Sequence, residues 1–113
     1  MKAGDLFWVE FPGGAGRAQA GRRPAIVVQS AKASPTLPTV LLVPLSTQQD
    51  ALRFAGTVLI EPSSSNALRH LSVALVFQLT AIDKKFLGSR IGSLSEIMLN
   101  LIWESLDDIL GRT

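Results

Sequence analysis

Two arginines stand against a proline in AGRRPAIVVQS, residues 20–30, immediately ahead of an apolar run. A guanidinium is a planar fork of donors that can pair with two phosphate oxygens at once. The residue before a proline is biased toward extended backbone, so Arg23 leaves the chain in a restricted direction. Together these features suit a side chain aimed at a phosphate; the alternative is that Arg22 and Arg23 are solvated charges on a loop. A second group stands in PLSTQQ, where Ser46 and Thr47 close an apolar run and Gln48 follows. If the runs that begin at Pro24 and end at Leu45 are antiparallel neighbours, Arg23 and Ser46 emerge at the same end of a sheet. A charge and a hydroxyl converging there make a phosphate site.

Other chemistries are narrowed by exclusion. The chain has no cysteine, a single histidine, His70, and nine scattered carboxylates, of which Asp107 and Asp108 are neighbours in one periodic segment. No zinc or two-metal constellation follows from that inventory, so neither a metal nor a cofactor is expected. A Ser-His-Asp arrangement would need His70, which has no nucleophile-elbow motif beside it and reads as a loop or strand-edge residue. The glycines of residues 13–16 match neither a Walker loop nor a dinucleotide fingerprint. The lack of cysteine also excludes a disulfide framework and fits a reducing cytoplasm.

The 113 residues, 47% of them hydrophobic, suit one domain over 1–113 with its own core. Charge is uneven. Residues 1–90 carry ten Lys/Arg against five Asp/Glu, whereas residues 91–113 carry one against four. Between Phe11 and Gln49 stand Arg17, Arg22, Arg23 and Lys32 with no acidic residue. Such a local field favours an anionic partner such as nucleic acid. The opening MKAGDLFWVEF has no long apolar segment of the secretory kind, and no run approaches the ~18–20 apolar residues of a membrane span.

The elements that must position these groups follow from periodicity and punctuation. Strands are predicted at 5–11, 24–30, 39–45, 57–62 and 72–79, with a short extended piece at 88–92. Pro24 opens its strand, and Pro44 marks a bulge or an edge. Residues 12–23 form a long glycine-rich loop, in the class where function often sits. A helical turn is predicted at 83–86. The last helix carries the spacing of a capping box, Ser93 with Glu96, and Gly111 stands where it ends. Leu94, Ile97, Met98, Leu101, Ile102 and Ile109 share one face, and Leu99, Trp103, Leu106 and Leu110 widen it to roughly 240°, more than a surface helix needs. Such a helix has two partners, its own sheet and something else, or is wedged into a small fold. The expected class is mainly β, with five to six strands in a small, partly open barrel closed by one amphipathic helix.

In KAGDLFWVEF, GRAQAGRRPAIVV, LLVPLSTQ, SVALVFQLTAID and the GSLS entry to the helix, the chain resembles the MazF/PemK family of toxin endoribonucleases. That family shares an SH3-like barrel with the gyrase-poisoning CcdB toxins. The resemblance is collinear over nearly the whole chain. It implies that Arg23 is the arginine of the family's R-P motif and that Ser46 stands at its strand-end threonine. It implies metal-independent, sequence-selective cleavage of single-stranded RNA, the ribose 2′-OH attacking the adjacent phosphate. The implied partners are mRNA, a cognate antitoxin and a second copy of the chain in a homodimer.

Gln19, Arg22, Thr47 and Gln48 are expected to contact bases or backbone around the scissile phosphate, and Arg17 and Arg53 to add charge. Phe7, Phe54 or Phe86 can stack an unpaired base or pack the core; Gln78 is expected nearer the core, and Trp103 in the core or an interface. Three positions depart from the family pattern. Ala18 replaces a glutamate, Phe77 an acidic residue before the glutamine, and Thr80 a basic residue. Two other readings remain open: a CcdB-like gyrase poison acting through the helix around Trp103, and a degenerate member that only binds its antitoxin.

Overall fold

The computed structural model describes residues 1–12 and 21–113. Strand β1 (Asp5–Phe11) pairs antiparallel with β2 (Gly21–Val27), from Leu6 opposite Ile26 to Phe11 opposite Gly21. β2 pairs antiparallel with β3 (Thr39–Ser46), from Val27 opposite Leu42 to Ala25 opposite Pro44. The predicted strand 24–30 is therefore displaced toward the N-terminus. Arg22 and Arg23 belong to the ladder because Glu10 and Val9 of β1 stand opposite them. At the other end the Gln29 side chain replaces backbone pairing: its Oε1 accepts from the Leu41 N–H at 3.3 Å and its Nε2 donates to the Thr39 carbonyl at 3.2 Å.

β3 is the hub. Its first half, Thr39–Leu42, pairs with β6 (Thr80–Asp83), and its end, Leu45 and Ser46, pairs with β5 (Ser72–Leu75). β5 also pairs with β4 (Thr57–Ile60), and β1 with β7 (Leu87–Ser93). The result is a mainly β fold with a seven-stranded antiparallel sheet ordered β4-β5-β3-β2-β1-β7, β6 lying beside β3. That is more strands than the five to six predicted. The sheet does not close on itself, so the barrel expected from sequence is only loosely one. The predicted strand 72–79 breaks after Leu75, where a 3₁₀ turn at Val76–Gln78 carries the chain from the end of β3 to its beginning. The turn predicted at 83–86 is a 3₁₀ turn at Lys84–Phe86, with the Asp83 carboxylate accepting from the Lys85 N–H.

Pro44 is neither at an edge nor in a bulge. The Val28 N–H donates to the Leu41 carbonyl at 3.0 Å. By alternation along the ladder, residues 41, 43 and 45 turn their N–H toward β2, while 40, 42 and 44 turn theirs away. Pro44 therefore faces the gap where the second neighbour of β3 changes from β6 to β5, and its missing donor costs no ladder bond.

Helix α1 (Glu96–Ile109) follows β7. Its cap is Ser95, whose hydroxyl accepts from the Met98 N–H at 3.2 Å, and not Ser93 as the capping-box spacing suggested. Ser93 is still in β7, paired with Asp5, and its N–H donates to the Ser65 carbonyl. The far end is a Schellman motif. Gly111 takes φ +73°, its N–H donates to the Asp108 carbonyl, and the Arg112 N–H donates to the Asp107 carbonyl. Of the apolar arc, Leu94, Ile102 and Leu106 are buried, with Met98, Leu99 and Trp103 packed beside them, while Ile97, Leu101, Ile109 and Leu110 are exposed. The wheel thus located the apolar arc but not which part of it meets the sheet.

This helix covers a cluster that includes Leu6, Ile26, Val43, Leu45 and Ile60; Val9, Ala25, Val27, Val40 and Leu42 form a second cluster. Alternation along β2 divides the two, so each face of the sheet has its own core. Among the described residues no helix is long and apolar enough to cross a membrane.

Candidate functional site

Pro24 determines where the site opens. By the same alternation its backbone nitrogen faces Leu45 of β3, where a ladder bond would come next. Proline has no N–H to give, and pairing between β2 and β3 stops at Ala25 and Pro44. One register step further, Arg23 stands opposite Ser46, which pairs instead with Val73 of β5. Between the strand ends lies a cleft of about 390 Å³ lined by Gly21, Arg22, Arg23, Pro24, Leu45, Ser46, Thr47 and Ser72.

The two groups are held differently. Arg23 is half-buried, and its Nε is shielded from solvent without a hydrogen-bond partner among the described residues. A buried donor left unmatched is costly, and a bound anion would satisfy it. Ser46 is buried, and its Oγ accepts from the Gln48 N–H at 3.1 Å. That contact fixes the oxygen while using only a lone pair, so the hydroxyl hydrogen can still be donated into the cleft. Among the described residues no carboxylate lines the cleft.

Arg22 projects from the other face of β2. Its guanidinium carbon lies 4.3 Å from the centroid of the Trp8 ring, and among the described residues no ion pair joins it to Glu10, its direct cross-strand neighbour. Trp8, Arg22, Pro24, Thr47, Arg69 and His70 line a second cleft of about 610 Å³, together with Ala67, Leu68 and Ser72. The two clefts share Arg22, Pro24, Thr47 and Ser72 and so adjoin one another in one basic groove.

The structure thus brings Arg22, Arg23, Ser46 and Thr47 together. The Gln48 backbone supports Ser46, but its side chain is not among the groups lining either cleft. Arg53 pairs with Asp50 at 3.7 Å and lies over the Phe54 ring, outside both linings. Arg17 and Gln19 lie outside the described residues. Phe7 and Phe86 pack against the second core cluster, whereas Phe54 is exposed and tilted against Phe77 with centroids 5.5 Å apart. Gln78 is half-buried and Trp103 packs against the main core. Sequence reasoning did not nominate Trp8, Arg69 or Ser72 for the groove and set His70 aside as a loop residue. The Trp8–Pro24 pairing that places Trp8 beside Arg22 depends on register.

The chain matches the PemK-like, MazF-like toxin family of type II toxin–antitoxin systems over residues 2–110. It is a member of that family. Solved structures agree at the level of fold. MazF (Form-I) from Deinococcus radiodurans superposes with a TM-score of 0.82 at 23% identity, covering 98% of this chain and 96% of that one. The Mycobacterium tuberculosis toxin MazF-mt6 gives a TM-score of 0.79 at 18% identity, covering 96% and 98%. A mycobacterial endoribonuclease in complex with its cognate antitoxin gives 0.77 at 20% identity, covering 100% and 97%. Of the departures from the MazF/PemK pattern, Ala18 lies outside the described residues. Phe77 is exposed beside Phe54, and Thr80 is half-buried opposite Leu42.

Proposed function

We propose that this toxin, acting as one unit over residues 1–113, is an endoribonuclease that cuts single-stranded mRNA. The observation that carries the reading is the opening of β2 from β3 at Pro24, which leaves Arg23 and Ser46 lining one cleft. The 2′-OH of the ribose attacks the adjacent phosphorus, the bond to the 5′ oxygen breaks, and the products are a 2′,3′-cyclic phosphate and a 5′-hydroxyl. The 2′ proton leaves to solvent water at the cleft mouth, and the departing 5′ oxygen takes one up. Charge grows on the nonbridging oxygens as phosphorus becomes five-coordinate. Arg23 neutralises it and Ser46 donates a hydrogen bond to it. The nucleophile belongs to the substrate, so RNA is cut and DNA is not.

Arg22 and Thr47 hold the backbone on either side, with Gln19, Gln48, Arg17 and Arg53 as further contacts. No metal or cofactor is required. The toxin works in the cytoplasm as a homodimer, with RNA lying across two copies. Exposed apolar surface supports pairing: Leu41, Leu79, Trp103 and Leu110 line a groove, and Phe54, Phe77 and Ile109 are exposed close by. A cognate antitoxin silences the site with an acidic segment that orders on the basic groove.

The test is incubation of purified protein with a defined single-stranded RNA in EDTA, mapping the ends produced. Discrete cuts bearing 5′-hydroxyls, lost in Arg23→Ala, are expected. Intact RNA with wild type, or identical cutting by Arg23→Ala, overturns the reading.

A further inference from the structure

The cleft between Arg23 and Ser46 adjoins the larger one over Trp8, and that second chamber has a built wall. Asn66 is 3% exposed; its Oδ1 accepts from the N–H groups of Ser63 and Leu68 at 2.9 and 3.0 Å, and its Nδ2 donates to the Glu61 carbonyl at 2.9 Å. Ala67 is held at φ +54°, a conformation a non-glycine residue keeps only when its surroundings fix it. Gly92 of β7 lets this turn pack closely: a Cβ there would lie 2.5 Å from the Ser65 carbonyl oxygen. The Ser72 hydroxyl donates to the His70 carbonyl at 3.0 Å, tying the far end of the wall to the first cleft. The wall therefore carries Arg69 and His70, which line the same cleft as the Arg22–Trp8 stack.

The geometry points to this chamber as a subsite for one unpaired nucleobase next to the phosphate held by Arg23 and Ser46. A guanidinium resting on an indole offers a flat cationic platform on which a base stacks. Arg69 supplies donors only, so the edge it meets must carry acceptors, and His70 can add a ring N–H beside it. Guanine, with O6 and N7 side by side, is the base that an arginine fork fits best. Among the described residues no carboxylate lines either cleft to compete for these donors. The inference rests on the nuclease reading and adds which part of the groove reads sequence.

The cutting profile on a randomised single-stranded RNA pool is compared between wild type and the Arg69→Ala/His70→Ala variant. Preference for guanine at one position fixed relative to the cut should fall about tenfold, with the other positions unchanged. An Arg69→Gln/His70→Gln variant repeats the test with smaller loss of side chain. An unchanged profile in both, or a wild type indifferent to guanine beside the cut, overturns the subsite.

A binding arm needs no cleavage. The chain has two tryptophans. In Trp103→Phe the remaining emission is that of Trp8, and a short guanine-containing ribo-oligonucleotide should shift it even when Arg23→Ala is added. Wild type and Trp8→Phe compared directly serve the same purpose if Trp103→Phe folds poorly. Emission change without cleavage keeps the subsite and overturns the nuclease. Cleavage with neither emission change nor altered profile does the reverse, and the absence of both overturns both.

Discussion

Arg23 and Ser46 reach the same cleft with complementary means. One brings a fixed charge with a shielded, unmatched Nε, and the other a hydroxyl pinned by the Gln48 N–H. Removing a donor of this kind costs roughly a hundred- to thousandfold in rate, so Arg23→Ala is expected to lose about that much RNA cleavage in single-turnover assays. Arg23→Lys should recover little, because an ammonium is a point charge and cannot reproduce the planar fork. Ser46→Thr keeps the hydroxyl and should keep most of the rate, whereas Ser46→Ala should not; its loss of the Gln48 contact should also cost about 1 kcal/mol in urea unfolding. These two residues were legible in the sequence because a strand-end hydroxyl and a pre-proline arginine need only antiparallel neighbours to meet. The stack of Arg22 on Trp8 was not, since it is a diagonal contact across β1 and β2 that appears only once the register is known.

At the scale of elements, Pro24 and Gly92 do the shaping. Pro24→Ala restores a backbone donor facing Leu45, and the expected result is an extra protected amide at position 24 in hydrogen exchange together with slower RNA cleavage. An unprotected amide with unchanged cleavage would show that the strands separate for another reason. Gly92→Ala forces a methyl against the Ser65 and Asn66 backbone and should destabilise by about 1–3 kcal/mol, measured by thermal or urea unfolding. Periodicity revealed α1 and most strands, because each has a face that must be apolar. It misplaced the helix cap by two residues, since Ser93 fits the capping spacing but is held in β7 by Asp5 and the Ser65 carbonyl. It also ran β5 and the turn after it into one strand, because Val76 is buried like the β5 residues before it and nothing in the apolar run marks the change of partner.

For the whole molecule, the unburied part of the helix and the Phe54–Phe77 pair give an exposed apolar surface apart from the basic groove. If two copies meet there, Phe77→Glu or Leu110→Asp should shift sedimentation toward monomer at micromolar concentration while the fold, read by circular dichroism, persists. Wild type that sediments as a monomer would remove the dimer from the proposal and leave the cleft chemistry standing. The central claim concerns that cleft. Single-turnover cleavage of one defined RNA by wild type, Arg23→Ala, Ser46→Ala and the double variant tests it most directly. Two groups that hold one phosphate act as a unit, so the double variant should lose little more than the worse single one. Losses that multiply independently, or variants that cut like wild type, contradict it.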